Sequence, residues 1–312
     1  MTNYRILFMG TPEFSVPTLK ALHESQHDVL AVVTQPDRPK GRGRRLVPPP
    51  AKAVAGSLGY PVHQPSRIKE HGFIETIIAL DPDLFVVVAY GHILPGSFLS
   101  IPRLGAINIH ASLLPKYRGP APVQWAIINR EEETGVTTMW MDEGMDTGDI
   151  LLRRKVALKS DDTCGSLLHR LSELGAEVLI ETLTQLESGT LRGTPQDKTL
   201  ATYAPLLKKQ DGYIDWTRDA KSLEAFVRGM NPWPGAFTLL SGRRLKIFLA
   251  EALEGSGKEP PGTVLEGFPG DFVVATGRGR LALTEVQLES AKRLSAEDFL
   301  RGCLVAPGSL LG

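Results

Sequence analysis

Short apolar runs alternate with segments of helical spacing along the first two hundred residues. Four runs, most of them almost continuously apolar, predict strands buried on both faces: residues 4–9, 28–34, 84–90 and 104–110. Three segments between them predict helices: residues 15–25 with Ser15 as N-cap, 67–80 and 121–130. The alternation predicts an α/β fold, a Rossmann-like, doubly wound and mostly parallel sheet, in which ligands bind beyond the carboxyl ends of the strands.

The pattern changes towards the C-terminus. A long helix is predicted over residues 161–188, and residues 189–206 are rich in Gly, Thr and Pro, which indicates a linker. Gly and Pro turns then separate four short strand candidates: residues 242–249, 262–265, 271–276 and 280–288. Two helices accompany them, one over residues 220–229 and one beginning at Ser295. We therefore expect a first domain over residues 1–188 and a small β-barrel domain over residues 207–312.

The composition narrows the class of protein. The chain has 312 residues, of which 42% are hydrophobic and 22% charged, as in globular proteins of more than one core. No apolar stretch reaches the roughly 18 residues that span a bilayer and no signal peptide is evident, so a cytoplasmic monomer without a membrane partner is expected. Cys164 and Cys303 lack CxxC spacing, which argues against a disulfide framework or a thiolate metal site.

Two polar residues share one face of the strand at 104–110. Asn108 and His110 lie two residues apart, so they point to the same side, and a loop containing Pro and Gly follows them directly. A histidine and an asparagine that are satisfied within a core are the alternative. Their position at the end of a central strand favours chemistry instead.

A second polar cluster, MDEGMDTGD over residues 141–149, lies between strand candidates at 135–141 and 150–157. Spacing alone does not distinguish a solvated acidic turn from a functional one. If this turn packs against the strand with Asn108 and His110, one of its carboxylates can orient the imidazole and move protons. The result would be a site without a metal and without a nucleophilic side chain.

A basic run stands out in a chain whose cations and anions balance at 35 each. Residues 38–45, RPKGRGRR, contain five cations: Arg38, Lys40, Arg42, Arg44 and Arg45. A solvated loop is the alternative. Arginines between flexible glycines, at the same sheet edge as the candidate site, favour a loop that contacts nucleic-acid phosphates and bases.

The order of these motifs identifies a family. Residues 108–119, NIHASLLPKYRG, with residues 141–149, resemble the signature of the 10-formyltetrahydrofolate-dependent transferases. Four further runs are similar to the methionyl-tRNA formyltransferases: FMGTPEF at 8–14, TQPDRP at 34–39, YAP at 203–205 and NPWPG at 231–235. The resemblance covers nearly the whole chain, and it implies an OB-like barrel for the second domain.

The resemblance also implies roles for single residues. It implies that Asn108, His110 and Asp146 are the catalytic residues. It also implies that the basic run binds the acceptor arm of an initiator methionyl-tRNA. It implies that 10-formyltetrahydrofolate is the co-substrate and that no metal takes part. The folate contacts that it implies are Ser112, Leu113, Leu114 and Pro115, and Tyr90, Gly91, His92 and Ile93.

The mechanism implied is transfer of a formyl group to an amine. Asn108 and His110 would donate hydrogen bonds to the oxyanion of the tetrahedral intermediate, and Asp146 would accept and return protons. Formyltransferases for sugar nucleotides or purine precursors, formyltetrahydrofolate hydrolases and a non-catalytic RNA-binding protein remain alternatives. A nicotinamide-dependent oxidoreductase is disfavoured because Gly10-Thr11-Pro12 is not a GxGxxG turn.

Overall fold

Two compact units make up the chain in the computed structural model, which describes residues 3–40, 45–255, 259–266 and 272–312. Unit 1 comprises Met1–Pro122, Glu133–Val156 and Leu168–Ala204. Unit 2 comprises Val123–Glu132, Ala157–Leu167 and Pro205–Gly312. Each unit therefore collects segments that are far apart in sequence.

Unit 1 is built on a seven-stranded sheet with the order β5-β2-β1-β6-β7-β8-β9. Its strands, with those of the separate β3–β4 hairpin, are β1 (Arg5–Gly10), β2 (Asp28–Val33), β3 (Arg38–Lys40), β4 (Arg45–Val47), β5 (Val62–His63), β6 (Leu84–Val88), β7 (Ala106–His110), β8 (Glu133–Trp140) and β9 (Ile150–Ala157). The pairs from β5 to β7 are parallel, whereas β8 runs antiparallel to β7. The predicted Rossmann-like, mostly parallel sheet is confirmed.

The strands of this sheet are buried as their apolar runs predict. All five residues of β6 are buried, and β1 is buried apart from Arg5 at its start. One core cluster brings together Leu7 of β1, Phe85 of β6 and Phe98 from a short helix. A continuous apolar strand can be accommodated only where both faces of the sheet are covered, so the burial agrees with the doubly wound architecture.

Six α-helices lie within the first two hundred residues of the described chain: α1 (Val16–Glu24), α2 (Pro50–Ser57), α3 (His71–Ala79), α4 (Gly96–Leu99), α5 (Pro122–Ile128) and α6 (Cys164–Glu187). The Ser15 side chain does not cap α1 as predicted, because its hydroxyl donates to the Pro12 carbonyl at 2.7 Å. At 24 residues α6 is long, yet no helix of the described chain combines the length and the apolar character that crossing a bilayer requires.

Unit 2 contains an antiparallel half-barrel sheet with the order β10-β11-β13-β12, and β14 pairs with β13. Its elements are α7 (Ala220–Met230), β10 (Ala236–Leu240), β11 (Arg243–Leu253), β12 (Phe272–Ala275), β13 (Arg280–Leu288), β14 (Leu294–Ser295) and α8 (Ala296–Gly302). Ser295 caps α8 as predicted, since its hydroxyl accepts the Asp298 N–H at 3.1 Å. The small β-rich domain expected at the C-terminus is confirmed.

In unit 2, one predicted strand was wrong and one strand was missed. Residues 262–265 form only isolated bridges at Thr263 and Val264, because each of these residues pairs with a different segment. Conversely, β10 was not predicted, since its five residues directly follow the NPWPG run and read as a continuation of that turn. In the structure, Asn231 at the start of that run donates to the Phe248 carbonyl of β11 at 2.9 Å.

Candidate active site

Asn108 and His110 lie at the carboxyl end of β7, in the middle of the unit 1 sheet. Asn108 is opposite Met139 of β8, and His110 is opposite Thr137. Asn108 is half-buried, whereas only 6% of His110 is exposed. The strand therefore places an amide and an imidazole on one face, as the two-residue spacing predicts.

The His110 ring has a defined orientation. Its Nε2 lies 2.9 Å from the Tyr117 carbonyl oxygen, and a carbonyl can only accept, so Nε2 carries a hydrogen and donates. The other ring nitrogen, Nδ1, lies 3.6 Å from Oδ1 of Asp146. A proton gained or lost by His110 in this geometry is therefore exchanged at Nδ1, on the side of the carboxylate.

Asp146 is held in the turn between β8 and β9. Its Oδ2 accepts the Gly119 N–H at 2.7 Å, a short bond of the kind that carboxylates form with backbone donors. Its backbone has a φ of 55°, in the left-handed region that non-glycine residues rarely adopt. Such conformations are typical of functional sites, where the surrounding structure must compensate for the strain. The carboxylate thus contacts the loop after β7 and the imidazole together.

A cavity of about 150 Å³ adjoins this set. Its lining comes from the loop after β6, the end of β8 and the turn after β8: His92, Ile93, Leu94, Met139, Met141, Asp142, Glu143, Gly144, Met145 and Asp146. Aliphatic and thioether groups form one part of the wall and carboxylates the other. Asp146 belongs both to the cavity and to the contact with His110, so a ligand in the cavity lies beside the proton-carrying groups.

Comparison with known proteins agrees with this arrangement. The Formyl transferase family model matches residues 4–183, and the model of the Formyl transferase C-terminal domain matches residues 206–304. The chain belongs to the formyl transferase family. The resemblance drawn from the motifs around Asn108 and Asp146 is therefore confirmed at the level of the family.

Curated relatives of this formyl transferase match it from end to end. The methionyl-tRNA formyltransferase of Citrifermentans bemidjiense is 54% identical over 312 residues, which are 100% of this chain and 98% of the relative. That of Pelotomaculum thermopropionicum is 52% identical over 309 residues, covering 99% of this chain and 98% of the relative.

Solved structures share the formyl transferase fold at much lower identity. HypX from Aquifex aeolicus in complex with tetrahydrofolic acid has a TM-score of 0.65 at 22% identity, covering 96% of this chain and 47% of HypX. An N-formyltransferase from Helicobacter canadensis, in complex with folinic acid and dTDP-3-aminofucose, has a TM-score of 0.66 at 16% identity. That match covers 93% of this chain and all of the other. At these identities the likeness concerns the fold alone.

The predicted folate residues at 112–115 divide into two pairs. Ser112 is fully buried and its hydroxyl donates to the Lys116 carbonyl at 2.7 Å, while Leu114 packs in a small core with Met139 and Ile150. Leu113 and Pro115 are partly exposed. The side chains of the first pair stabilise the loop from within, so only those of the second pair are accessible to a ligand.

The predicted folate residues at 90–93 also separate. His92 and Ile93 line the cavity, and 79% of Ile93 is exposed. Gly91, also exposed, has a φ of 88°, and a Cβ there would lie 2.6 Å from the Gln35 side chain. Tyr90 instead lies in the core beside Phe98, and burial raises the pKa of its hydroxyl to about 12. A ligand in the cavity thus meets residues 92 and 93.

Sequence reasoning missed Leu94, Met139 and Met141 as cavity residues. Met139 and Met141 flank the end of β8, and their apolar side chains were interpreted as strand core or as the border of an acidic turn. A usable signal exists, since Met139 pairs with Asn108 once β8 is set antiparallel to β7. Among the described residues, no group of three or more His, Cys, Asp or Glu side chains is placed to hold a metal ion.

Three of the five predicted tRNA-binding cations, Arg38, Lys40 and Arg45, fall on the β3–β4 hairpin. Arg38 and Arg45 are exposed, and Lys40 pairs with Arg45 across the two strands. Arg42 and Arg44 lie outside the described residues. Leu46 is also exposed, so the described part of the hairpin presents cations beside an apolar side chain.

A polar cluster supports the base of this hairpin. Lys52 of α2 contacts both carboxylate oxygens of Asp37, at 2.8 and 2.9 Å, and Gln64 donates to Oδ1 at 2.8 Å. The hydrogen bonds from Lys52 and Gln64 hold the pKa of Asp37 below its ordinary value of 3.8. Gln64 also donates to the Gln35 carbonyl, so the segment leading into β3 is fixed to the body of unit 1.

Proposed function

We propose that this chain transfers the formyl group of 10-formyltetrahydrofolate to the α-amino group of initiator methionyl-tRNA. The observation that carries the proposal is the contact of Asp146 with His110 at 3.6 Å, next to Asn108 and at the edge of a cavity. Full-length identity of 50–54% to proteins named methionyl-tRNA formyltransferase supports this choice of acceptor.

The cavity suits the formyl donor. A pterin is a flat ring with polar edges, and Met139 and Met141 supply the polarisable apolar contacts that such a ring prefers. Asp142 and Glu143 supply hydrogen-bond acceptors at the rim. We propose that His92 and Ile93 close over the ring from the loop after β6, while Leu113 and Pro115 contact the donor nearer the reacting carbon.

The chemistry assigned to the three polar residues moves one proton from the attacking amine nitrogen to the departing folate nitrogen. The free amine attacks the formyl carbon, a C–N bond forms, and the former carbonyl oxygen gains negative charge. The half-buried Asn108 amide donates a hydrogen bond to that oxygen. Asp146 accepts the proton that the attacking nitrogen loses. Asp146 then passes this proton to the folate nitrogen as the bond between that nitrogen and the formyl carbon breaks. Nδ1 of His110, at 3.6 Å from Oδ1, keeps the carboxyl group in place.

For the acceptor we propose two contact surfaces. The first is the β3–β4 hairpin with Arg38, Lys40 and Arg45, extended by Arg42 and Arg44. The second lies on β11 of unit 2, where Arg243, Arg244 and Lys246 are exposed. Arg244 lies over the Phe237 ring at 4.1 Å, which leaves its cationic edge available to a phosphate. We further propose that residues 1–188 carry the chemistry, that residues 207–312 contact tRNA, and that a cytoplasmic monomer is the working form.

Formylation assays with labelled donor test the proposal. Initiator methionyl-tRNA and amino-sugar nucleotides are offered as acceptors in parallel, and label recovered on methionine is the expected result. Asp146→Asn and His110→Ala should abolish transfer while both variants remain folded at the assay temperature. If only the amino-sugar nucleotide were labelled, the proposed acceptor would be wrong. Near-normal turnover by either variant would contradict the roles assigned to Asp146 and His110.

A further inference from the structure

A segment of unit 1, residues 194–204 (here termed the strap), runs beside the loops of the candidate site and contains one 3-10 turn, Lys198–Leu200. At its start Thr194 exchanges two backbone hydrogen bonds with Ile150, both of 2.9 Å. At its end Arg118 donates its N–H to the Thr202 carbonyl at 2.8 Å, and the Ala204 N–H donates to the Arg118 carbonyl at 2.7 Å. The segment predicted as a linker is thus hydrogen-bonded to the loop after β7.

Gln196 of the strap uses every hydrogen-bonding position of its side-chain amide. Its Oε1 accepts from Nε and Nη2 of Arg118, at 3.1 and 2.7 Å. Its Nε2 donates to the carbonyl oxygens of Asp146 and Gly148, both at 2.8 Å. A primary amide offers two acceptor sites and two donor hydrogens, so Gln196 is fully satisfied.

The surroundings of Gln196 demand an amide. On one side is the guanidinium of Arg118, of which only 4% is exposed, and on the other are two carbonyl oxygens of the turn that carries Asp146. A carboxylate would pair with the cation but repel the carbonyls. An ammonium group would bind the carbonyls but repel the cation. A neutral group that accepts at one end and donates at the other satisfies both sides.

We propose that Gln196 is a positioning residue, which holds the left-handed Asp146 turn so that its carboxylate reaches His110 and the Gly119 N–H. The backbone of Asp146 has a φ of 55°, and Gln196 fixes the carbonyl groups of this residue and of Gly148. The strap thereby takes part in formyl transfer without touching substrate. The kinetic test of this inference rests on the proposed function. The backbone N–H of Gly119 gives a second measurement, which does not depend on turnover.

The test uses Gln196→Glu and Gln196→Ala, with Gln185→Glu as the matched control at a half-buried position of α6 in unit 1. Gln196→Glu keeps the acceptor for Arg118 and loses both donors, so its melting temperature should equal or exceed that of Gln196→Ala. Because a displacement of about 1 Å costs on the order of 100-fold in rate, kcat should fall by about that factor in both variants, with KM for tRNA nearly unchanged. Gln185→Glu should keep the wild-type kcat.

The backbone amide resonance of Gly119 reports the position of Asp146 directly, because its N–H donates to the carboxylate at 2.7 Å. It should move upfield in both Gln196 variants and stay in place in the control. Wild-type kcat or an unmoved Gly119 resonance in either variant would overturn the proposal. If the wild-type protein formylated no acceptor, the proposed function would fail, and the Gly119 resonance would still decide whether Gln196 positions Asp146.

Discussion

Asn108 has a side-chain amide without a hydrogen-bond partner among the described residues, although it is half-buried beside a fixed imidazole. Burying polar surface without a partner carries a cost, which a protein accepts where a ligand will supply the missing bond. His110 is different, since its Nε2 is already bound to Tyr117 and only Nδ1 faces the site. Asn108 is therefore the donor that is free for an oxyanion.

We expect Asn108→Ala to reduce kcat by roughly 10²–10³-fold, or about 2.7–4 kcal/mol of transition-state stabilisation, because one oxyanion donor is removed. Single-turnover rates with saturating donor measure this effect. Asn108→Asp is the matched control for volume, since it keeps the shape and removes the N–H donors, and it should be as slow as the alanine variant. Activity retained by the aspartate variant would show that donation from this position is not needed.

Prediction of single residues from the sequence succeeded where the backbone determines which way a side chain points. Asn108 and His110 point the same way because strand side chains alternate, which the sequence shows directly. The approach of Asp146 was only a hypothesis, since it depends on the antiparallel return of β8 and on a left-handed turn. Gln196 had no signal at all, because nothing in a Gly- and Pro-rich run indicates that it binds a buried arginine.

At the scale of elements, the turn between β10 and β11 shows how a two-residue connection sets a hairpin. Ser241 and Gly242 have φ values of 48° and 76°, as a type I′ turn requires. A Cβ on Gly242 would meet nothing within 4 Å, so only backbone strain opposes a side chain there.

Gly242→Ala should therefore destabilise unit 2 by about 1 kcal/mol, and Ser241→Asn should stabilise it slightly, because asparagine tolerates the left-handed region better than serine. Urea unfolding of both variants measures the two effects. Equal free energies of unfolding for the wild type and both variants would mean that backbone strain in this turn does not affect the stability of unit 2.

The base of the β3–β4 hairpin should respond to pH. The pKa of Asp37 is lowered by the hydrogen bonds from Lys52 and Gln64, so the stability that it contributes is present above its ordinary pKa of 3.8. That contribution disappears as the pH falls through the lowered value. We expect Lys52→Met to be less stable than wild type at neutral pH, with a difference that shrinks as the pH falls below 3.8. Denaturant unfolding at a series of pH values tests this, and a constant difference would contradict it.

Elements were predictable where one physical signal dominated. The apolar runs of β1 and β6 predicted buried strands because both faces of the sheet are covered. The β3–β4 hairpin was missed because three of its six residues are charged. The short strand β10 was missed because it directly follows a Pro-rich turn. Their pairing depends on partners elsewhere in the chain, which no local pattern reports.

At the scale of the whole molecule, balanced charge means that any affinity for RNA is local. Lys plus Arg and Asp plus Glu number 35 each, so long-range attraction is weak and the hairpin cations must act at close range. The fold class followed from the order of apolar runs. The sequence did not indicate that Val123–Glu132 and Ala157–Leu167 belong to unit 2, because most residues of that unit lie much later in the chain.

Replacing Arg42 and Arg44 with alanine should weaken tRNA binding and lower its salt dependence, by about one unit of log-log slope for each phosphate that the protein no longer neutralises. Binding titrations at several salt concentrations measure the slope, and Lys20→Ala at an exposed position of α1 is the control. Affinity for the folate should not change. Equally weakened binding of both ligands would indicate misfolding.

Gly119 shows how the absence of one methyl group ties together parts of unit 1. Its φ is 117°, and a Cβ at this position would lie 2.8 Å from the Ala204 carbonyl oxygen. The same residue supplies the N–H that Asp146 accepts. A bulkier residue here would displace the backbone at residue 204 and, in the same movement, withdraw the N–H donor from the carboxylate. Formyl transfer and the position of that segment therefore depend on the same atom.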